Sequence, residues 1–242
     1  VITRDNTACH FLSDLTQANP IRYIELVGYW QAYGHFIKYA EEIRQQFTFK
    51  SNIIQEIAPF IIEQLQLLDL CTFRNCTIKR DDKLLKSYLT QIELKNKLLQ
   101  SKWTLIGVHI RRSDFLQKDK QKYGHTVSSI TFLTRAMNYF SDKYSNTLFL
   151  MTSDDKNYCN SMFGNMSNVI ITPKSFSPEL DLAALVVCQH TIVTSGSFGW
   201  WAAFLTNGDV VYDKANPAPG SGLENDCPRI SYYPPWYISL KN

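Results

Sequence analysis

The chain has 242 residues, 45% of them hydrophobic and 13% aromatic, enough to bury a sizeable core in one large domain or two small ones. Its net charge is +3 and no block of five or more like charges occurs, which argues against nucleic acid as a partner. No apolar run approaches the roughly 18 residues that span a bilayer, and Val1-Ile2-Thr3-Arg4 has no signal-peptide layout. Six cysteines, Cys9, Cys71, Cys76, Cys159, Cys188 and Cys227, include no metal-type CxxC pair, so no zinc site is expected while disulfides stay open. Two sequons, Asn75-Cys76-Thr77 and Asn165-Met166-Ser167, together with the even cysteine count, lean toward a lumenal or extracellular compartment.

In chain order, 21–27 reads as a strand, and 32–47 carries Phe36, Ile37, Ala40 and Ile43 at helical spacing. A second helical pattern over 51–70 places Ile53, Ile54, Ile57, Ile61, Leu65 and Leu68 on one side; Pro59 within it predicts a turn, a kink or a first helical position. Residues 71–82 are polar and irregular, and 83–101 is amphipathic and helical. A boundary is expected just before Trp103, dividing the chain into 1–102 and 103–242.

After Trp103 the pattern becomes strand, loop, helix, repeated. Leu105, Ile106, Val108 and Ile110 form a buried strand that runs into Arg111-Arg112-Ser113-Asp114-Phe115. A helix over 131–144 precedes a strand over 147–151, which ends in Thr152-Ser153-Asp154-Asp155. Residues 169–171 form a third strand, a helix runs from Ser177 to Gln189, and 191–194 form a fourth strand that enters Ser195-Gly196-Ser197-Phe198-Gly199. A fifth strand covers 210–212. This alternation implies a mostly parallel sheet with helices on both faces, a Rossmann-like nucleotide domain.

In such a sheet the carboxyl ends of the strands share one rim, where ligands bind. Arg111 and Arg112 offer forked donors suited to a diphosphate, and His109 and Asp114 add a titratable ring and an acceptor in the same turn. The small-residue turn Ser195-Gly196-Ser197-Phe198-Gly199 leaves N–H groups bare at a helix start, where an anion is favoured. A carboxylate at Asp154 or Asp155 suits the N1–H and N2–H edge of guanine. Asp181 reads as a first-turn or capping charge and Trp200 and Trp201 as core. His190 reads as a helix end, Cys188 as a small buried hydrophobe, and Pro234-Pro235-Trp236 as a closing turn.

These motifs resemble the alpha-1,2-fucosyltransferase family along 21–49 and 103–240. The family's His-x-Arg-Arg-x-Asp is met by His109, Arg111, Arg112 and Asp114, with Ser113 where Gly or Thr is more usual. Its Thr-x-Gly-Thr-Phe-Gly-x-Trp-Ala-Ala-Tyr-Leu-x-x-Gly-Asp is answered from Thr194 to Asp209 with only Ser197 and Phe204 as mild changes. Gly28-Tyr29-Trp30-Gln31 and Ile43-Arg44-Gln45-Gln46-Phe47 are similar to two further family segments. The resemblance implies a GT-B type α/β fold of two Rossmann-like domains: a partial acceptor-side domain over 1–102 and a GDP-fucose-binding domain over 103–242. It also implies inverting transfer of L-fucose from GDP-β-L-fucose, in α-1,2 linkage, to a glycan ending in a β-galactoside.

No cofactor or metal is expected, GDP-fucose being the donor substrate. The strand-end loops together with the resemblance place His109, Arg111, Arg112, Asp154, Asp155, Ser195, Gly196, Ser197, Phe198 and Gly199 at the donor. Arg111 faces the β-phosphate, Arg112 supports the loop or the fucose side, and Asp114 is a candidate base that more readily serves as a partner of the arginines. Glycans are expected on Asn75 and Asn165. The family's glycine-rich opening with Gly-Asn-Gln, and its membrane anchor, do not occur before Val1, so an N-terminally incomplete chain is expected, from a parent on the lumenal face of the Golgi membrane. Two alternatives stand beside this: an alpha-1,6 type GDP-fucose transferase, and a non-catalytic sugar-nucleotide or glycan-binding module.

Overall fold

A computed structural model describes residues 2–4, 9–12, 25–27, 30–70 and 89–241. Two short parallel strands, β1 (Ile2–Arg4) and β2 (Glu25–Val27), pair near the N-terminus. The expected strand over 21–27 lies in part outside the described residues. The expected helix over 32–47 resolves into two 3-10 turns, Tyr33–His35 and Ile37–Tyr39, and a helix α1 (Ala40–Gln46). Helix α2 (Ser51–Leu70) runs with Pro59 in its interior. An interior proline costs about 3 kcal/mol; the burial of Ile54, Ile57, Ala58, Ile61, Ile62 and Leu65 on one side of the same helix offsets it. Helix α3 (Gln91–Leu99) starts at a capping box in which Thr90 accepts from the Glu93 N–H and Glu93 from the Thr90 N–H. Residues 71–88, which include Asn75, Cys71 and Cys76, are outside the described set.

The body of the protein is a six-stranded sheet of β3 (Thr104–Ile110), β4 (Thr147–Ser153), β5 (Val169–Ile171), β6 (His190–Val193), β7 (Val210–Asp213) and β8 (Ile238–Leu240). Every neighbouring pair is parallel, and the spatial order is β5-β4-β3-β6-β7-β8. Counted from β3, that is 3-2-1-4-5-6, the doubly wound nucleotide-fold order, in which the chain reverses direction of growth between the first and fourth strands. Here that switch point lies between β3 and β6. Strand β8 follows Pro234-Pro235-Trp236 and is too short to carry a periodic signal.

The intervening helices are α4 (Lys118–Tyr123), α5 (Ile130–Lys143), α6 (Lys156–Phe163), α7 (Pro178–Val186), α8 (Ser197–Thr206), α9 (Gly222–Asp226) and α10 (Arg229–Tyr232). Alternate residues of β3 point to opposite faces. Ile106, Val108 and Ile110 pack with Phe132, Leu133, Ala136, Met137 and Phe140 of α5, whose start is capped by Ser129. Leu105, with Leu148 and Leu150 of β4, packs against α2, α3 and α7. The helices upstream of Trp103 therefore share a core with the strands downstream of it. Trp200, Ala203, Phe204 and Leu205 of α8 build a third cluster with α1 and the C-terminal tyrosines, and Trp200 is buried in it as core. His190, expected to end a helix, instead opens β6, because α7 stops at Val186. Cys188 is buried and free, as is Cys159. Cys9 and Cys227 form a disulfide across 218 positions of sequence.

Candidate functional site

Three strand ends meet at the switch point. Beyond β3, the Arg111 N–H donates to Thr194 Oγ1 at 3.0 Å, which ties the end of β3 to the end of β6. Beyond β4, Asp154 turns back onto the arginine loop: its Oδ1 accepts from the Arg112 N–H at 2.9 Å and its Oδ2 from the Ser113 N–H at 3.0 Å. The Arg111 guanidinium bridges two carboxylates, Asp114 at 2.7 Å and Asp154 at 3.1 Å, and stands 5.4 Å over the Phe115 ring. Arg112 Nε donates to Asp155 Oδ2 at 3.3 Å while its guanidinium carbon lies 3.6 Å over Tyr158. Asp155 Oδ1 caps α6 by accepting from the Tyr158 N–H at 3.0 Å.

The two arginines are thus held in fixed directions rather than left to solvent. Arg111 forms ion pairs with the carboxylates of Asp114 and Asp154. The aspartates expected to read guanine have all four oxygens engaged by the protein itself, and what they visibly do is hold the arginine loop.

Beyond β6, Gly196 takes a φ of 85° and opens α8 with no side-chain cap, so the first N–H groups of that helix face the rim uncapped. Ser197 is exposed at this start, and Ser195 is buried, its hydroxyl directed at the Thr126 carbonyl at 3.4 Å. Gly199 is required for a different reason. A Cβ there would fall 2.4 Å from His109 Nδ1. His109 is only 5% exposed and lies under the rim with its ring 5.1 Å from that of Phe198. Burial pushes the imidazole down to about 4, with Asp154 opposing and Arg111 reinforcing the shift, so the ring is neutral at pH 7. Expected at the nucleotide, His109 sits beneath the surface a ligand would touch.

Several residues here have roles that the sequence did not show. Thr194 joins the two central strands; the His125 ring lies tilted against that of Phe115 at 4.2 Å between ring centres, its pKa lowered by burial and then by Lys120. Asp181 is more than a first-turn charge. It is buried on α7, receives Lys156 Nζ at 2.9 Å and Thr172 Oγ1 at 2.7 Å, and lines a cavity of about 370 Å³ with Ser153, Asp154, Asp155 and Lys174. Burial raises its pKa against these partners. The cavity adjoins the arginine loop at the ends of β4 and β5. Asn165 is exposed in the turn between α6 and β5. Among the described residues no cluster of three or more His, Cys, Asp or Glu is arranged to hold a metal, and no helix is long and apolar enough to cross a membrane.

A parallel sheet with this strand order, and with arginines and an uncapped helix start at its switch point, defines a domain of the Rossmann-like α/β class. The glycosyl transferase family 11 profile matches residues 72–237, and the chain belongs to that family. It is 35% identical over 137 residues to galactoside 2-alpha-L-fucosyltransferase Sec1 of Mus musculus, covering 55% of this chain and 37% of that protein. It is 34% identical over 137 residues to galactoside alpha-(1,2)-fucosyltransferase 1 of Oryctolagus cuniculus, with the same coverage. The chain thus spans little over a third of the length of these curated relatives. Among solved structures it is similar to the alpha-1,6-fucosyltransferase NodZ soaked with GDP-fucose, at a TM-score of 0.35 and 16% identity, covering 65% of this chain and 62% of that one.

Proposed function

We propose that this chain is the donor-binding part of an inverting fucosyltransferase that moves L-fucose from GDP-β-L-fucose, in α-1,2 linkage, to a terminal β-galactoside. The observation that carries this is the pairing, across the β3/β6 switch point, of a braced arginine loop with the uncapped start of α8 in a chain of glycosyl transferase family 11. The names of the relatives, galactoside alpha-(1,2)-fucosyltransferases, favour the α-1,2 linkage over an α-1,6 one.

In this reading the diphosphate lies between Arg111 and the N–H groups at Ser197, Phe198 and Gly199. As the acceptor hydroxyl attacks C1 of the fucose, the bond to the β-phosphate breaks and charge builds on the leaving GDP. Arg111 and the helix start are already in place to stabilise that charge. Asp114, Asp154 and Asp155 act by orienting the arginines, and His109 acts from below as a neutral packing element. The base of the nucleotide is assigned to the cavity beside Asp181 and Lys156, one strand over from the phosphates. The acceptor side is assigned to residues 1–102 together with the other domain of a GT-B parent anchored in the Golgi membrane. The Cys9–Cys227 disulfide and the exposed sequon at Asn165 support the lumenal location.

The test is calorimetric titration of the chain with GDP and GDP-fucose, followed by transfer of labelled fucose to a β-galactoside by the complete lumenal domain of the parent. Arg111→Lys keeps the charge and loses the fork, and turnover should fall about a hundred- to a thousandfold. Near-wild-type turnover in a folded Arg111→Lys protein would refute the assignment.

A further inference from the structure

At the other end of the sheet lies a cavity of about 840 Å³, more than twice the one beside Asp181. It is walled by the starts of the strands rather than their ends: Thr104 opens β3, His190 opens β6 and Gly208 precedes β7. The length of β3, about 20 Å, separates it from the arginine loop, so it is no part of the donor rim. Its outer wall is α3. Ile92, Lys95 and Leu99 recur at intervals of three and four, which puts them on one face of that helix, while Leu94 and Leu98 enter the core. Ile92 is 65% exposed and Leu99 61%, two large apolar side chains left in water over an apolar floor of Val187, Cys188 and Leu205.

The charged groups of the cavity are of one sign. Arg44 and Lys95 line it, and among the described residues no aspartate or glutamate does. Both cations reach the last turn of α8: Arg44 Nε donates to the Phe204 carbonyl at 2.9 Å and Lys95 Nζ to the Thr206 carbonyl at 3.4 Å. A helix end supplies only about half a charge. Arg44 has a carboxylate partner in the exposed Glu41 at 2.5 Å, whereas Lys95 has none among the described residues. Asp209, beside His190, is taken up by Lys143 and Tyr144. Lys95 is half-buried, and burial lowers its pKa, with Cys188 opposing and Arg44 reinforcing the shift. An ammonium that is partly desolvated and lacks a full counter-charge favours an anion beside it.

We propose that this cavity is a second ligand site, for a single-chain amphiphile with an anionic head such as a fatty carboxylate, its chain between Ile92, Leu99 and Leu205 and its head on Lys95 and Arg44. The volume lies within the roughly 300–1,000 Å³ of small-molecule sites, and a mainly apolar lining with a few convergent polar groups is their usual composition. Apolar side chains alone would suit any oily ligand. The two cations without a lining acid select the sign of the head, and the exposed pair on α3 gives the chain a surface that water now covers.

The experiment titrates the 242-residue chain by calorimetry with hexanoate, octanoate and decanoate below their micelle concentrations. One molecule should bind per chain, with affinity rising about threefold per added methylene. Decanol should bind at least about tenfold more weakly than decanoate, acetate should not compete, and saturating GDP should leave decanoate affinity within about twofold. Lys95→Met keeps the apolar stem and removes the charge; it should weaken decanoate about tenfold and leave decanol within about twofold. If that variant melts well below the parent, Leu99→Asp, at an exposed position, decides in its place and should abolish decanoate binding. Equal affinity for decanoate and decanol, or displacement of decanoate by GDP, overturns the proposal. So does failure of decanoate to bind, which would mean that another part of the chain or a partner fills the cavity. Capture of the chain by vesicles of phosphatidylcholine with phosphatidylserine, without one-to-one uptake of decanoate, would make this face a membrane contact and also overturn it.

Discussion

Asp154→Asn separates two roles for the same carboxylate. In the structure Asp154 accepts from the amides of Arg112 and Ser113 at 2.9 and 3.0 Å and pairs with Arg111 at 3.1 Å, its side chain 20% exposed. An asparagine can present its oxygen to only one of these sides. Whichever way it turns, its NH₂ group faces a donor, so one backbone N–H loses its acceptor and Arg111 loses one of two counter-charges. A neutral hydrogen bond contributes about 1 kcal/mol net and one to a charged group about 1.5–3 kcal/mol. Partial exposure places the combined loss near 2 kcal/mol, and if that amount must be restored to order the arginine loop around a diphosphate, affinity falls roughly thirtyfold. A strut gives that loss equally for GDP, UDP and inorganic pyrophosphate, since all three use the phosphate loop. A guanine reader gives a loss confined to GDP. Calorimetric titration of wild type and variant with the three ligands reads the difference, and a GDP-specific loss would refute the strut and restore Asp154 to the base.

Other expectations follow from the same geometry. His109 binds its proton near pH 4 in the folded chain against about 6.5 unfolded, so between these values the unfolded state holds more protons and stability falls as pH drops. The contribution, about 3 kcal/mol when complete, is intact above pH 6.5 and lost on the way to about pH 4. His109→Phe, which cannot titrate, should flatten the pH dependence of the melting temperature over that window relative to wild type; parallel profiles would contradict the buried neutral ring. Cys9→Ser opens a cross-link of 218 positions and should cost up to about 5 kcal/mol. An unchanged melting temperature on reduction would show that the bond does not form. Asn165 should carry a glycan after expression in a secretory host, visible as a mass shift removed by Asn165→Gln.

The rim of the sheet was legible because its signals are local. Apolar runs that pass into polar or small-residue loops state both the strand and where it stops, and five of the six sheet strands follow from that pattern. What those ends do to one another is not local. Nothing near Asp154 in sequence shows that it accepts from amides 41 and 42 positions away, and Asp181 looks like any first-turn acid until Thr172 and Lys156 fold against it. The pairing of Cys9 with Cys227 was hidden for a counting reason, since six cysteines allow 15 connectivities. Pro59 does not end the helix, because propensity is a weak prior that burial of a whole helix face overrides.

The two motifs that stood out separately in sequence are two halves of one junction. His109 belongs to the first and Gly199 to the second, and the space a Cβ would take at 199 is the space the imidazole ring fills. The Arg111 amide of the first motif finds its acceptor in Thr194 of the second. Gly196 is held for its backbone angle and Gly199 for its missing side chain, so the two glycines are not interchangeable despite lying three residues apart. A side chain at 199 would displace the His109 ring, two residues before Arg111, whereas one at 196 meets Phe115, at 3.9 Å, and acts through the start of α8. The first change disturbs the arginines and the second the helix amides, the two sides between which a diphosphate would be held.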